Sequence, residues 1–147
     1  KNMTLYEALF TLYKKYGYFV EQSVSVTMDG LDGLEKINTV MSNLRQSTPT
    51  QFANSKVEKV RDYQTSIIDN VETGEQELTG LPTSNVLFYE LEDGSSVIVR
   101  PSGTEPKLKV YIMVKADSYE AAIEKKEMLA EYSKSLVGKL SVTDVLI

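Results

Sequence analysis

Three short runs in the second half of the chain, at residues 84–91, 97–99 and 108–114, are β-forming and are separated by turn-forming residues. That arrangement restricts the fold more than any other feature. The first run, with Asn85-Val86-Leu87-Phe88-Tyr89-Glu90-Leu91 at its heart, is followed by Glu92-Asp93-Gly94-Ser95 and then Val97-Ile98-Val99. An Asp-Gly pair between β-rich segments is a hairpin signal, because the turn needs positive φ. In the third run Leu108, Val110, Ile112 and Val114 alternate with Lys109, Tyr111, Met113 and Lys115. Period two puts the first set on a buried face and the second on the opposite one, so Lys109 points away from Leu108. Successive hairpins imply an antiparallel sheet.

The second and third runs are joined by residues 100–107, Arg-Pro-Ser-Gly-Thr-Glu-Pro-Lys, followed by Leu-Lys-Val-Tyr. This corner gathers what an oxyanion needs. Arg100 offers a fork of N–H groups, Ser102 and Thr104 an O–H each, and the peptide N–H groups around Gly103 can turn inward. Glycine at 103 permits positive φ and close backbone approach. Pro, Ser and Gly are common in turns without any ligand, but an ordinary turn has no reason to collect Arg100, Lys107 and Lys109. The residues therefore read as a phosphate-binding loop on a strand-to-strand corner. Glu105 would repel a phosphate unless it turns outward or pairs with a neighbouring cation, which makes its role structural.

Elsewhere the periodicity is mixed. Thr4 opens a capping box with Glu7, and Leu5, Ala8, Leu9, Leu12, Tyr13 and Tyr16 form the stripe of a helix closed by Gly17. Residues 18–28 alternate as a strand. Asp29 or Asp32 is placed to cap a helix with Leu31, Leu34, Ile37, Met41 and Leu44 as its stripe, ended by Pro49. Residues 56–66 read as a strand of imperfect period, and 67–83 as a long polar connection. Ser118 caps a last helix with Ala122, Leu129, Leu136 and Ile123, Ala130, Val137 inward, and Glu120, Glu124, Lys125 and Glu131 outward. The tail at 139–147 has a β-like period. The expected class is α+β, an antiparallel sheet of four to five strands with two helices on one face.

Composition narrows the chemistry. With 147 residues the chain suits one domain, and a net charge of −5 disfavours nucleic acid and anionic membranes as partners, so any phosphate site must be local. There is no cysteine and no histidine, which removes thiolate chemistry, the commonest general base and the commonest transition-metal ligand. Absence of cysteine fits a cytoplasmic setting. No run approaches the roughly 18 apolar residues of a membrane span. Asp29 and Asp32 read as helix caps, and Glu90, Glu92 and Asp93 as a hairpin end, rather than as a metal site.

The loop Arg100-Pro101-Ser102-Gly103-Thr104-Glu105-Pro106-Lys107, with Leu108-Lys109-Val110-Tyr111 after it, resembles the phosphate-binding loop of the C-terminal domain of α-D-phosphohexomutases, the phosphoglucomutase and phosphomannomutase family. Asp62-Tyr63, the run from Leu81 to Leu87 and Glu92-Asp93-Gly94-Ser95 are similar to the longer bacterial phosphoglucomutases. The resemblance implies a fold like that of the TATA-box-binding protein, with no implication of DNA binding. It implies that residues 1–17 are a helix left from a preceding domain, 18–28 a connecting strand or hinge, and 29–147 the C-terminal domain. It assigns phosphate contacts to Arg100, Ser102, Gly103 and Thr104, and to Lys109 at a position often held by arginine. The partner is a phosphosugar, glucose 1-phosphate and glucose 6-phosphate, interconverted through a phosphoserine and a bisphosphorylated intermediate. No Ser-His dipeptide, Asp-x-Asp-x-Asp run or Gly-Glu-x-Ser-Gly occurs here. The resemblance therefore places the catalytic residues and Mg²⁺ on preceding domains of the same polypeptide, none on this chain, which alone would be inactive. A phosphomannomutase domain shares this loop, and a non-catalytic phosphate-binding or interaction module remains the other reading.

Overall fold

A computed structural model of the chain describes residues 18–28 and 30–140. The helix expected over 4–17, the capping role considered for Asp29 and the strand-like tail at 141–147 lie outside the described residues. The tail's first two positions, Lys139 and Leu140, belong to the last helix.

The first strand, β1 (Tyr18–Thr27), is followed by helix α1 (Gly33–Gln46) and a small hairpin of β2 (Gln51–Phe52) with β3 (Ser55–Asp62). Next come β4 (Ile67–Asn70), β5 (Gln76–Leu78), β6 (Leu87–Leu91), β7 (Ser96–Pro101), β8 (Lys107–Ala116) and helix α2 (Tyr119–Leu140). All ladders are antiparallel, in the order β1-β8-β7-β6-β3-β4-β5, with β2 added to β3. The class is α+β as expected, but the sheet has eight strands, not four to five.

The difference lies mainly at 67–83, read as a polar connection. Residues there form the β4–β5 hairpin, with Ile67 opposite Leu78 and Asp69 opposite Gln76. Its turn is built by polar side chains: Asn70 Oδ1 accepts from the Glu72 and Thr73 amides, and Gly74 takes φ of +76°. β5 is exposed along its whole length, so it carries no apolar alternation to read. Strand β3 ends at Asp62, where its carboxylate caps the turn by accepting from the Gln64 amide. A bulge between Val57 and Lys59 lets Val57 and Val60, three positions apart, both reach the core, which accounts for the imperfect period.

Helix α1 buries Ile37, Val40, Met41 and Leu44. Leu31 precedes it and stands fully in solvent, and Leu34 is more than half exposed, so neither belongs to the stripe. Asp32 occupies the N-cap without a side-chain cap hydrogen bond and lies 3.6 Å from Lys36 instead. In α2, Ser118 Oγ accepts from the Ala121 amide, as a capping residue should. Lys125 does not simply face water: it is ion-paired with Asp93 at the β6–β7 turn.

One face of the sheet holds the core. Leu87, Tyr89 and Leu91 of β6, Val97 and Val99 of β7, and Leu108, Val110, Ile112 and Val114 of β8 are buried with the apolar faces of both helices. Phe52 packs on Tyr89 with ring centroids 4.9 Å apart, and burial pushes the Tyr89 phenol above its ordinary range. At the far end of α1, Arg45 Nε donates to Asp62 Oδ2 at 2.9 Å and ties the helix to β3. The opposite face of the sheet carries no helix among the described residues.

Candidate functional site

The β7–β8 connection is stapled from its base upward. Pro101 lies opposite Leu108, the Ser102 amide donates to the Lys107 carbonyl at 2.9 Å, and the Lys107 amide to the Glu105 carbonyl at 2.7 Å. Residues 103–105 are left as an exposed tip. Gly103 has φ of +93°, where a side chain would be strained, and nothing lies within 4 Å of where its Cβ would stand. The tip is thus open on the side a Gly103 side chain would occupy.

Its other flank is braced by the start of the domain. The Met28 amide donates to the Pro106 carbonyl at 2.8 Å, extending the β1–β8 ladder past its last register pair. Gly33, the first residue of α1, packs so closely that a Cβ would lie 2.5 Å from the Met28 carbonyl oxygen and 2.7 Å from Pro106 Cβ. Both contacts are shorter than van der Waals distance, so backbone must move to admit a methyl group. Gly33→Ala is expected to lower stability by about 1–3 kcal/mol, as overpacking does, read as a lower denaturant midpoint.

The cations sit on the open face. Arg100 and Lys109 are register partners, both exposed, while their neighbours Val99, Leu108 and Val110 are buried. Directly opposed side chains have Cβ atoms about 4.5–5.5 Å apart, and like charges so placed repel. Among the described residues neither Arg100 nor Lys109 enters an ion pair. Lys107, by contrast, has Glu105 Oε2 within 3.8 Å of its Nζ. The one carboxylate of the loop is therefore turned to a lysine at the loop's exit.

Of the residues singled out from sequence, Arg100 and Lys109 are brought face to face. Ser102 is half-buried at the loop base, and Gly103 and Thr104 are exposed at the tip. Sequence reasoning missed Ser25, which faces Lys109 from β1 and so lies in one row with the two cations, and Gly33, whose role is to let α1 touch Pro106. Alternation within 18–28 placed Ser25 on the polar face, but only the ladder says which residue it meets. Among the described residues no three acidic side chains come together where they could hold a metal ion. Nor is any described helix long and apolar enough to cross a membrane.

Comparison with known proteins agrees with this architecture. Residues 37–131 match the family described as phosphoglucomutase/phosphomannomutase, C-terminal domain. The chain is 35% identical over 120 residues to a phosphoglucomutase of Staphylococcus haemolyticus, covering 82% of this chain and 22% of that one. A phosphoglucomutase of Staphylococcus aureus (strain bovine RF122 / ET3-1) is 33% identical over 122 residues, covering 83% and 22%. One from Staphylococcus saprophyticus is 30% identical over 136 residues, covering 92% and 24%. The chain thus spans less than a quarter of the length of these curated relatives. With most of its core strands and both helices falling wholly or largely inside the matched range, the chain belongs to the phosphoglucomutase/phosphomannomutase family, whose C-terminal domain it carries.

Proposed function

We propose that this chain is the phosphate-gripping domain of a phosphoglucomutase, holding the non-reacting phosphate of a glucose phosphate while the other end reacts on preceding domains of the same polypeptide. The observation that carries the reading is the couple Arg100 and Lys109, which enter no ion pair among the described residues and are register partners at the foot of an open glycine loop in a chain of net charge −5. A dianion between them turns a repulsive pair into two attractive ones. Arg100 supplies a planar fork of donors, Lys109 a point charge, and Ser102, Thr104 and the amides near Gly103 the remaining hydrogen bonds.

The grip serves the chemistry at a distance. Phosphoryl transfer through a phosphoserine and a bisphosphorylated sugar needs either phosphate held while the other faces the serine, and binding energy at the remote end orients the reacting end. Mg²⁺ would neutralise the transferring phosphoryl group on those other domains, in a cytoplasmic enzyme. The chain alone supplies the grip without a phosphoryl donor. A mannose phosphate would present the same loop with the same phosphate group.

Titrating the chain with inorganic phosphate while following backbone amide chemical shifts tests the loop. Saturable shifts centred on Ser102, Gly103 and Thr104 are expected; shifts spread over the surface, or none, would refute the assignment.

A further inference from the structure

A hollow lined by none of residues 100–109 opens where α1 passes the turn after β3 and the segment that enters β6. It holds about 390 Å³, inside the range of about 300–1,000 Å³ usual for small-molecule sites. Asn38 and Ser42, like Met41 and Arg45, are four positions apart on α1 and line it from one side. Gln64 and Asn85 face them. Backbone bonds fix this second wall: the Ser84 amide donates to the Tyr63 carbonyl and the Tyr63 amide to the Val86 carbonyl, both at 3.0 Å. Asn85 stands between those two ties, so its side chain is presented from a held backbone.

Two polar atoms at the hollow have no hydrogen bond. Arg45 gives its Nε to Asp62, but its Nη2 is buried without a partner, and so is Asn85 Oδ1. Behind them the buried Tyr89 hydroxyl also has none, and it lies within reach of the charges on Arg45 and Asp62. Among the described residues only Ser133 Oγ shares that condition. Buried polar groups are ordinarily hydrogen-bonded, so orphans gathered at one hollow point to a ligand that completes them.

Charge selects the class of that ligand. Arg45 is neutralised by Asp62 at 2.9 Å, both side chains being 17% exposed, and the other polar side chains of the lining are uncharged amides or hydroxyls. An anion would meet Asp62, and a cation Arg45. A hydroxyl group suits both orphans at once, accepting from Nη2 and donating to Oδ1. Asn38, Ser42 and Gln64 offer donors and acceptors to further hydroxyls on the same molecule. We infer that the hollow binds a neutral polyhydroxylated molecule, a sugar unit without phosphate, free or at the end of a glycan. This goes beyond the phosphate grip, since Arg100 and Lys109 lie on the face of the sheet that α1 does not cover.

Titrating the chain with D-glucose and, separately, with maltotriose tests the inference, read at the side-chain amide signals of Asn85 and Gln64. Saturable shifts of both signals are expected. Glucose binding at least as tightly as maltotriose identifies a free sugar, and tighter maltotriose a chain end. Gln64→Ala, at an exposed side chain, should weaken binding by about threefold to tenfold, as loss of one hydrogen bond does, with the melting temperature unchanged. Asn85→Ala should weaken it at least as much, read at Gln64. Undiminished binding in both variants overturns the inference. So does the absence of a saturable shift with either sugar, which leaves Arg45 and Asn85 to ordered water, or shifts centred on Ser102 to Thr104 instead. Inorganic phosphate that moved the Asn85 and Gln64 signals would overturn it as well, because the argument requires a neutral ligand. The phosphate titration of the loop reads other residues, so its failure leaves this site unaffected.

Discussion

Arg100→Ala in the full-length polypeptide is expected to lower kcat/KM for glucose 1-phosphate by at least about tenfold without loss of fold, since a charge-assisted hydrogen bond contributes about 1.5–3 kcal/mol and tenfold corresponds to about 1.4 kcal/mol. The fold should survive because Arg100 is exposed, enters no ion pair among the described residues, and sits on the face away from the core. Its removal even relieves the repulsion with Lys109. Stability unchanged or slightly raised, together with weakened catalysis, is therefore the signature of a binding role. Arg100→Lys should recover part of the loss, because charge returns but the fork does not. Steady-state kinetics paired with thermal unfolding of the same variants measures both, and an alanine variant with undiminished kcat/KM would remove Arg100 from the site.

How far the sequence reached depended on whether the signal was local. The β6–β7–β8 meander was legible because each strand alternates and the Asp93-Gly94 turn is self-contained: Asp93 Oδ1 accepts from the Ser95 amide, and Gly94 takes φ of +91°. The loop was legible for the same reason, since Arg100 to Lys109 place their chemistry within one run of sequence. The β4–β5 hairpin was not. Its strands are half-buried or exposed, and its stability comes from backbone pairing and from Asn70 and Thr73 turning their side chains onto nearby amides, which leaves no apolar period. Leu31 and Leu34 misled in the opposite direction: their spacing suits a helix stripe, but Leu31 precedes α1, which starts at Gly33, and Leu34 in its first turn is turned largely to solvent. Lys125 reads as a solvated charge on α2 until the fold brings Asp93 to it from another element.

Leu108→Ala is expected to separate the two jobs proposed for β8 by destabilising the domain while sparing the proposed anion site. Leu108 is 0% exposed, stands immediately after the loop, and pairs with Pro101 at its base. Truncating a buried leucine removes its transfer free energy and leaves a cavity, at a cost of about 2–5 kcal/mol. In a domain of ordinary stability, about 5–15 kcal/mol, that is a large share, read as a lower denaturant midpoint with unchanged slope. The proposed binding groups are differently placed: Lys109 and Arg100 lie on the opposite face, and the loop's own hydrogen bonds, Ser102 to Lys107 and Met28 to Pro106, are all backbone. Phosphate affinity measured well below the melting temperature should therefore change by less than about tenfold, under 1.4 kcal/mol. Arg100→Ala and Leu108→Ala are thus opposites, one costing function without stability and the other stability without binding. If Leu108→Ala abolished phosphate binding in a still-folded chain, the buried face of β8 would have to be positioning the loop, and the independence of the two faces argued from the register would be wrong.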